Sequence, residues 1–241
     1  MGGPAFWGIA GSPISHSLTP RLFSVVGSSL GMEQAGQAFI EAASIEEFES
    51  KASALEGDLW LSCTAPLKHS PQSRLGIPGP EGINAINQLM RSGGVWSGTS
   101  TDGRGFVSAC RHIGIEPSGS VLRMRGGGSA ARSIAAAWSS EGGMIIPVMG
   151  RRELISGPWD SSLAESDVAD IAVDLDAAPA GGASVEMQAA LQVSISYGEN
   201  QSPDEFAVIM VAAQHLEAWR SIFAPDRADE LPGLGEILSK L

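Results

Sequence analysis

The stretch SVLRMRGGGSAARSIAAAWSSEG, residues 120–142, constrains the fold more than any other part of the chain. It reads as a strand, a glycine turn and a helix. Gly126, Gly128 and Ala131 stand at the spacing G-x-G-x-x-A. Glycines there permit a tight turn and a close approach of backbone to a pyrophosphate. The following helix N-terminus offers free N–H groups and the positive end of its dipole. A purely structural glycine turn has the same letters, so the stretch alone leaves both readings open. Arg123 and Arg125 interrupt a strand that is expected to be apolar.

The rest of the chain repeats the alternation. Strands are expected at AFWGIAG (5–11), GQAFIEA, DLWLSCTAP, GMIIPVMGRR, VADIAVDLD and ALQVSISYG. Helices are expected at PRLFSVVGSSLGM, SIEEFESKASALEG, GRGFVSACRHIG and the long, amphipathic DEFAVIMVAAQHLEAWRSIF, with a short one at the C-terminus. Ser44 followed three residues later by Glu47 reads as a reciprocal helix cap, and RSGG between INAINQLM and VWSGTST reads as a hairpin turn. Strands alternating with helices predict an α/β fold with mostly parallel sheets.

The formal net charge of −12 argues against general affinity for nucleic acid or an anionic membrane. No apolar run approaches the ~20 residues that span a bilayer, and the start, MGGPAFWGIAGSP, lacks the basic region of a secretory signal. A cytoplasmic location is therefore expected. Cys63 and Cys110 read as buried free thiols, and the four scattered histidines form no metal-ligand cluster.

The strand after the glycine turn ends in PVMGRR. An NAD site has an acidic residue here for the ribose hydroxyls; Arg151 and Arg152 instead suit a ribose 2′-phosphate by charge and forked hydrogen bonding. If a dinucleotide binds, NADP is favoured over NAD.

Four further stretches occur in a fixed order ahead of the glycine turn: GSPISHSLTP, CTAPLKHS, NAINQL and GTSTDGRGF. Together they resemble the shikimate dehydrogenase family, whose motifs run G-x-P-[IV]-x-H-S-x-S-P, V-T-x-P-x-K, G-A-x-N-T and G-x-N-T-D-G-x-G. The resemblance covers nearly the whole chain. It implies an N-terminal open α/β substrate domain over residues 1–103, with helices of 205–241 packing back on it. A reduced Rossmann-like NADP-binding domain would take residues 104–204, and the active site would be the cleft between them.

The resemblance also implies roles. Lys68 matches the catalytic lysine and Asp102 the aspartate that pairs with it. Ser17 and Thr19 match hydroxyls that hold the substrate carboxylate, although the same residues suit a helix cap. Thr64 belongs to the lysine motif, Asn87 matches a reader of ring hydroxyls, and Tyr197 lies where the family has a tyrosine near the substrate. The family's substrate-binding glutamine falls on Val211, with Gln214 one helical turn later. Cofactor contacts would come from Gly126, Gly127, Gly128, Ser129, Ala130, Arg151, Arg152 and Ala177.

The chain departs from the family pattern at Asn84, Gln88, Ser100, Ser129, Gly150, Asp176 and Gly182. Of these, Asp176 puts a negative charge beside an anionic cofactor. The implied activity is the NADP-dependent, reversible reduction of 3-dehydroshikimate to shikimate, an oxidoreductase step in the chorismate and aromatic amino-acid pathway, by a monomer or homodimer. Two alternatives are a dehydrogenase of the same family acting on quinate or another ring acid, and a non-catalytic shikimate-binding sensor with a degraded cofactor site.

Overall fold

The computed structural model describes residues 3–177, 184–198 and 201–241. The chain divides into two compact α/β units, the first with a mixed sheet and the second with a parallel one. The first comprises Met1–Pro80, Asn84–Thr101 and His215–Leu241, and the second Glu81–Ile83 and Asp102–Gln214.

The first unit begins with β1 (Phe6–Gly11), α1 (Thr19–Ser29), β2 (Gly36–Glu41), α2 (Ile45–Ser53) and β3 (Leu59–Cys63). The short α3 (Pro71–Arg74) and the hairpin of β4 (Gln88–Ser92) and β5 (Val95–Thr99) follow. The sheet order is β2-β1-β3-β4-β5; the first three strands are parallel, and β4 and β5 are antiparallel. β3 is central and wholly buried, which explains its apolar run. Its side chains alternate between two cores. Leu59, Leu61 and Cys63 join Phe48 and Ala52 of α2, whereas Trp60 stacks on Phe223 with ring centroids 5.3 Å apart. Trp60, Trp7, Phe23, Trp219 and Phe223 form one aromatic cluster on that second face.

The expected cap and turn are present. Ser44 Oγ accepts from Glu47 N at 3.3 Å, while Glu47 Oε2 reaches back to Ala43 N at 2.9 Å, one residue before the cap rather than to Ser44 N. Gly93 and Gly94 take φ of 55° and 81°, the doubly left-handed turn whose twist matches that of its strands. Beside that turn the Arg91 guanidinium donates to the carbonyls of Ala52, Leu55 and Gly57.

The second unit comprises α4 (Asp102–His112), β6 (Val121–Arg125), α5 (Ser129–Ser140), β7 (Met144–Val148), β8 (Ile171–Asp174) and β9 (Leu191–Val193), then α6 (Phe206–Ala218) up to Gln214. Its sheet is parallel throughout, in the order β7-β6-β8-β9. α4 lies close on α5: the Gly103 N–H donates to Ser133 Oγ at 2.9 Å, and a Cβ on Gly103 would collide with the Ser133 carbonyl. The arginines of β6 are accommodated because its burial alternates, with Leu122 and Met124 buried. Arg123 donates to the carbonyls of Ser166 and Asp167, in an irregular segment that contains only one short 3-10 turn, Asp160–Ser162. Arg125 pairs with Asp174 of β8 at 3.0 Å.

α6 departs from the expected amphipathic helix. Ala207, Val208, Ile209, Met210, Ala212, Ala213, Leu216 and Ala218 are all buried, so the helix is apolar on nearly every side. It ends in a π-turn, Trp219–Phe223, and α7 (Leu234–Leu238) follows.

Candidate functional site

Parallel strands send the loops that follow them to one edge of a sheet. In the first unit, the segment after β1 carries Ser17 and, at the start of α1, Thr19, and the segment after β3 carries Thr64 and Lys68. The antiparallel β4 begins, and β5 ends, at that same edge, because Gln88 pairs with both Ser62 and Thr99. Asn87 therefore joins the group. Backbone hydrogen bonds knit these loops together: Ser12 N to Ala65 O at 3.0 Å, Cys63 N to Asn87 O at 2.7 Å and Ile86 N to Lys68 O at 2.8 Å. Gly11 takes φ +143° here, and a Cβ on it would strike Thr64. The quoted motifs thus meet although they are far apart in sequence, from Ser17 to Asn87, with Thr101 just beyond. Lys68 sits half-buried in a 3-10 turn, Leu67–His69, directly after the central strand.

A buried polar network lies beneath this edge. Ser62 Oγ donates to Gln88 Oε1 at 3.0 Å, and Gln88 Nε2 donates to Thr101 Oγ1 at 3.2 Å. Asn87 Nδ2 also reaches Thr101 Oγ1 at 3.2 Å, and Thr101 N donates to Asn87 Oδ1 at 2.7 Å. His215 Nε2 lies 3.3 Å from Ser62 Oγ and 3.3 Å from Thr19 Oγ1. Burial pushes the His215 pKa down to about 3, so the imidazole is neutral at neutral pH. Ser17 Oγ accepts from the Thr19 backbone N–H at 3.2 Å, which gives Ser17 a turn-forming role as well as the proposed ligand role. Sequence reading did not single out Ser62, Thr101 or His215, and treated Gln88 only as a departure from pattern.

In the second unit the same logic applies to four parallel strands. Gly126–Ala130 follow β6, Arg151 and Arg152 follow β7, Ala177 follows β8 and Tyr197 follows β9. All lie after carboxyl ends of strands, where open α/β sheets bind ligands. Gly126 takes φ +105°, and a Cβ on Gly127 would collide with the Glu153 carbonyl. Gly128 caps α5 with no side-chain acceptor, and no described residue beyond its chain neighbours lies within 4 Å of where a Cβ would be. The first-turn N–H groups therefore have room for an anion.

Arg132, one turn into α5, is buried. Its guanidinium donates to the carbonyls of Ile83 at 2.8 Å and Gly127 at 3.1 Å, with no carboxylate partner among the described residues. Burial, and then the nearby Arg152, push its pKa below the ordinary arginine value. A buried cation beside a glycine turn, close to a second arginine, is an environment that an anionic group relieves. This chain's residues thus fit a dinucleotide phosphate. An arginine on the otherwise small face of α5 was the available sequence signal for Arg132.

Arg125 and Asp174 hold the floor of this edge. Burial raises the Asp174 pKa, but N–H groups of Val185 and Asp176 and the Arg125 guanidinium outweigh it and hold the carboxyl below its ordinary value. Asp176 accepts a short hydrogen bond from Arg151 N and lies 3.6 Å from the Arg151 guanidinium. Asp102 opens α4 and is buried. Tyr197 is half-buried. Gln214 lies with its Cγ against Gly105 of α4, and a Cβ on that glycine would collide with it. Of the DAAPAGG turn, residues 178–182 lie outside the described residues.

No family model matches the chain. A shikimate dehydrogenase (NADP(+)) of Methanosarcina barkeri is 35% identical over 147 residues, covering 59% of this chain and 52% of that protein. One from Bordetella petrii is 25% identical over 260 residues, covering 97% and 86%. In most such alignments the chain spans about half the length of the relative. Among solved structures, the shikimate 5-dehydrogenase of Thermus thermophilus, in complex with NADP(H) and shikimate, superposes with a TM-score of 0.73 at 18% identity, covering 97% of each chain. In sequence and in fold the chain resembles the shikimate dehydrogenase family. An Ael1 enzyme of Pseudomonas putida superposes at 0.74 and 19% identity, covering 98% of this chain and 97% of its own. A ligand-free 5-ketofructose reductase of Gluconobacter sp. strain CHM43 superposes at 0.68 and 16%, covering 98% and 96%.

Proposed function

We propose that the protein reversibly reduces 3-dehydroshikimate to shikimate with NADPH, as a cytoplasmic enzyme of aromatic amino-acid biosynthesis. The observation that carries this is the gathering of Ser17, Thr19, Thr64, Lys68 and Asn87 at one sheet edge, in a chain whose sequence relatives are shikimate dehydrogenases.

The chemistry NADPH supplies when bound is a hydride for a carbonyl carbon. Lys68 meets the other need. Its ammonium stabilises the oxygen as alkoxide character develops, and it delivers the proton. In the oxidative direction Lys68, or the Lys68–Asp102 pair acting together, takes the proton from the alcohol. Asp102 would keep the lysine charged and oriented. Hydroxyls of Ser17 and Thr19 suit a carboxylate, because they donate without adding charge. Asn87 both donates and accepts, which suits a ring hydroxyl. Thr64, Tyr197 and Gln214 are further proposed substrate contacts. Arg151, Arg152, Ala177 and the glycine turn from Gly126 to Ala130 are proposed to hold NADP, with Arg132 as a reinforcing cation.

The test is NADPH formation from shikimate and NADP by the purified protein, beside Lys68→Ala and Asp102→Asn. A loss of at least about a hundredfold in kcat in Lys68→Ala, with shikimate binding retained, is the expected result for a general acid–base residue. Absence of turnover by the wild type with any ring acid, in a protein that binds shikimate, would overturn the enzyme reading. Asp176 favours this second reading, a sensor with a weakened cofactor half, because its charge opposes an anionic ligand.

A further inference from the structure

Three observations converge on Asp176. Its carboxylate accepts from the Arg151 backbone N–H and pairs with the Arg151 guanidinium. It stands directly against two glycines at the carboxyl edge of the sheet: a Cβ on Gly126 would lie 3.2 Å from Oδ1, and one on Gly150 would collide with Oδ2. Its own backbone is fixed, since Asp176 N donates to Asp174 Oδ1 at 3.0 Å and Asp174 is already paired with Arg125.

The consequences for charge are specific. Arg125 pairs with Asp174, whereas Asp176 pairs with Arg151. Arg151 is the cation that Asp176 touches, and Arg152 lies near the buried Arg132. A ribose 2′-phosphate seeks arginines at the end of the second strand of such a unit, and a carboxylate there accepts from ribose hydroxyls and repels the phosphate. Here the carboxylate comes from β8 instead of β7, and it already occupies Arg151.

We propose that Asp176 is an internal counter-ion for Arg151 that competes with a ribose 2′-phosphate and so sets how far this site prefers NADP to NAD. The inference rests on the reading of the glycine turn as a dinucleotide site and deepens it. With NAD, the same carboxylate accepts from the ribose hydroxyls. With NADP, Arg151 must leave Asp176 to meet the phosphate.

Calorimetric titration of the full chain tests this. Wild type, Asp176→Asn and Asp176→Asn/Arg151→Ala are titrated with NADP, NAD, adenosine 2′,5′-bisphosphate and adenosine 5′-monophosphate. Asparagine keeps an oxygen for the Arg151 N–H and removes only the charge; Asp176→Ser serves if the first variant does not fold. Removing one charge near a phosphate should tighten NADP and the bisphosphate by about tenfold and leave NAD and the monophosphate no tighter than in the wild type. The Arg151→Ala change should abolish the gain. Equal shifts for NADP and NAD, or an unmoved ratio, overturn the inference while leaving the dinucleotide site standing. If none of these proteins binds either dinucleotide, the proposed function falls together with it.

Discussion

His215 Nε2 lies 3.3 Å from the hydroxyl of Thr19, a residue 196 positions earlier in the chain. The same nitrogen lies 3.3 Å from Ser62 Oγ, whose proton already goes to Gln88 Oε1. Ser62 can then only accept, so Nε2 must carry the hydrogen. Nδ1, buried without a partner among the described residues, is left as an acceptor, which is the less costly of the two orphans. That one hydrogen is shared between Ser62 Oγ and Thr19 Oγ1, which leaves the Thr19 hydroxyl its own proton to donate.

Acid should expose this histidine. The unfolded chain takes up its proton near the ordinary value of 6.5, whereas the folded chain resists until about 3. Between those values the unfolded state holds more protons. His215 therefore adds stability that is fully present above pH 6.5 and is lost as pH falls toward 3. One proton contributes a slope of at most about 1.4 kcal/mol per pH unit. Urea midpoints measured across this range should fall less steeply in His215→Gln than in the wild type; parallel curves would show that the imidazole is not the group titrating.

Two glycines should separate packing from binding. Gly103→Ala forces a Cβ into the Ser133 carbonyl and should cost about 1–3 kcal/mol, read as a lower urea midpoint. Gly128 has φ −71°, and no described residue beyond its chain neighbours lies within 4 Å of where a Cβ would be. Gly128→Ala should leave the midpoint unchanged or raise it by up to about 1 kcal/mol, while weakening dinucleotide affinity by filling the approach to the turn.

Arg132 should behave as a cation awaiting an anion. Inorganic phosphate is expected to raise the thermal midpoint of the wild type by selective binding to the native state, and to have little effect on Arg132→Met. An equal rise in both proteins would assign the phosphate to the exposed arginines at 151 and 152 instead.

The thiols should be silent in the native protein. Burial pushes the Cys110 pKa up to about 12, and Cys63 is buried as well. A thiolate-specific reagent should therefore report no reaction until denaturant is added, and then two equivalents. Rapid native labelling would mean that one of the cores opens locally.

Much of the fold was legible because its signals are local. The Ser44–Glu47 cap, the Gly93–Gly94 turn and the glycine turn at 126–128 each occupy a few consecutive residues, and each forms as expected. Arg125 looked like a flaw in a strand because its partner, Asp174, is 49 positions away. Ser62 read as an ordinary strand serine and His215 as a helix histidine, since the bond joining them spans 153 positions. α6 misled for a related reason: periodicity signals one buried face, and a helix buried on most sides has little periodicity to show. The positions of Ser17, Thr64, Lys68 and Asn87 at one sheet edge follow from strand direction, which no single motif contains.

The first unit's sheet has a second edge, and it offers a handle. The loops entering β2 and β3 and the Gly93–Gly94 turn lie opposite the proposed ligand residues, with Arg91 clamping three carbonyls there and Asp58 holding Ser92 and Gly93 at 2.9 Å. A fluorophore or surface tether attached at that turn would sit at the far edge of the first unit's sheet from the proposed ligand residues, so labelling there leaves those residues unmodified.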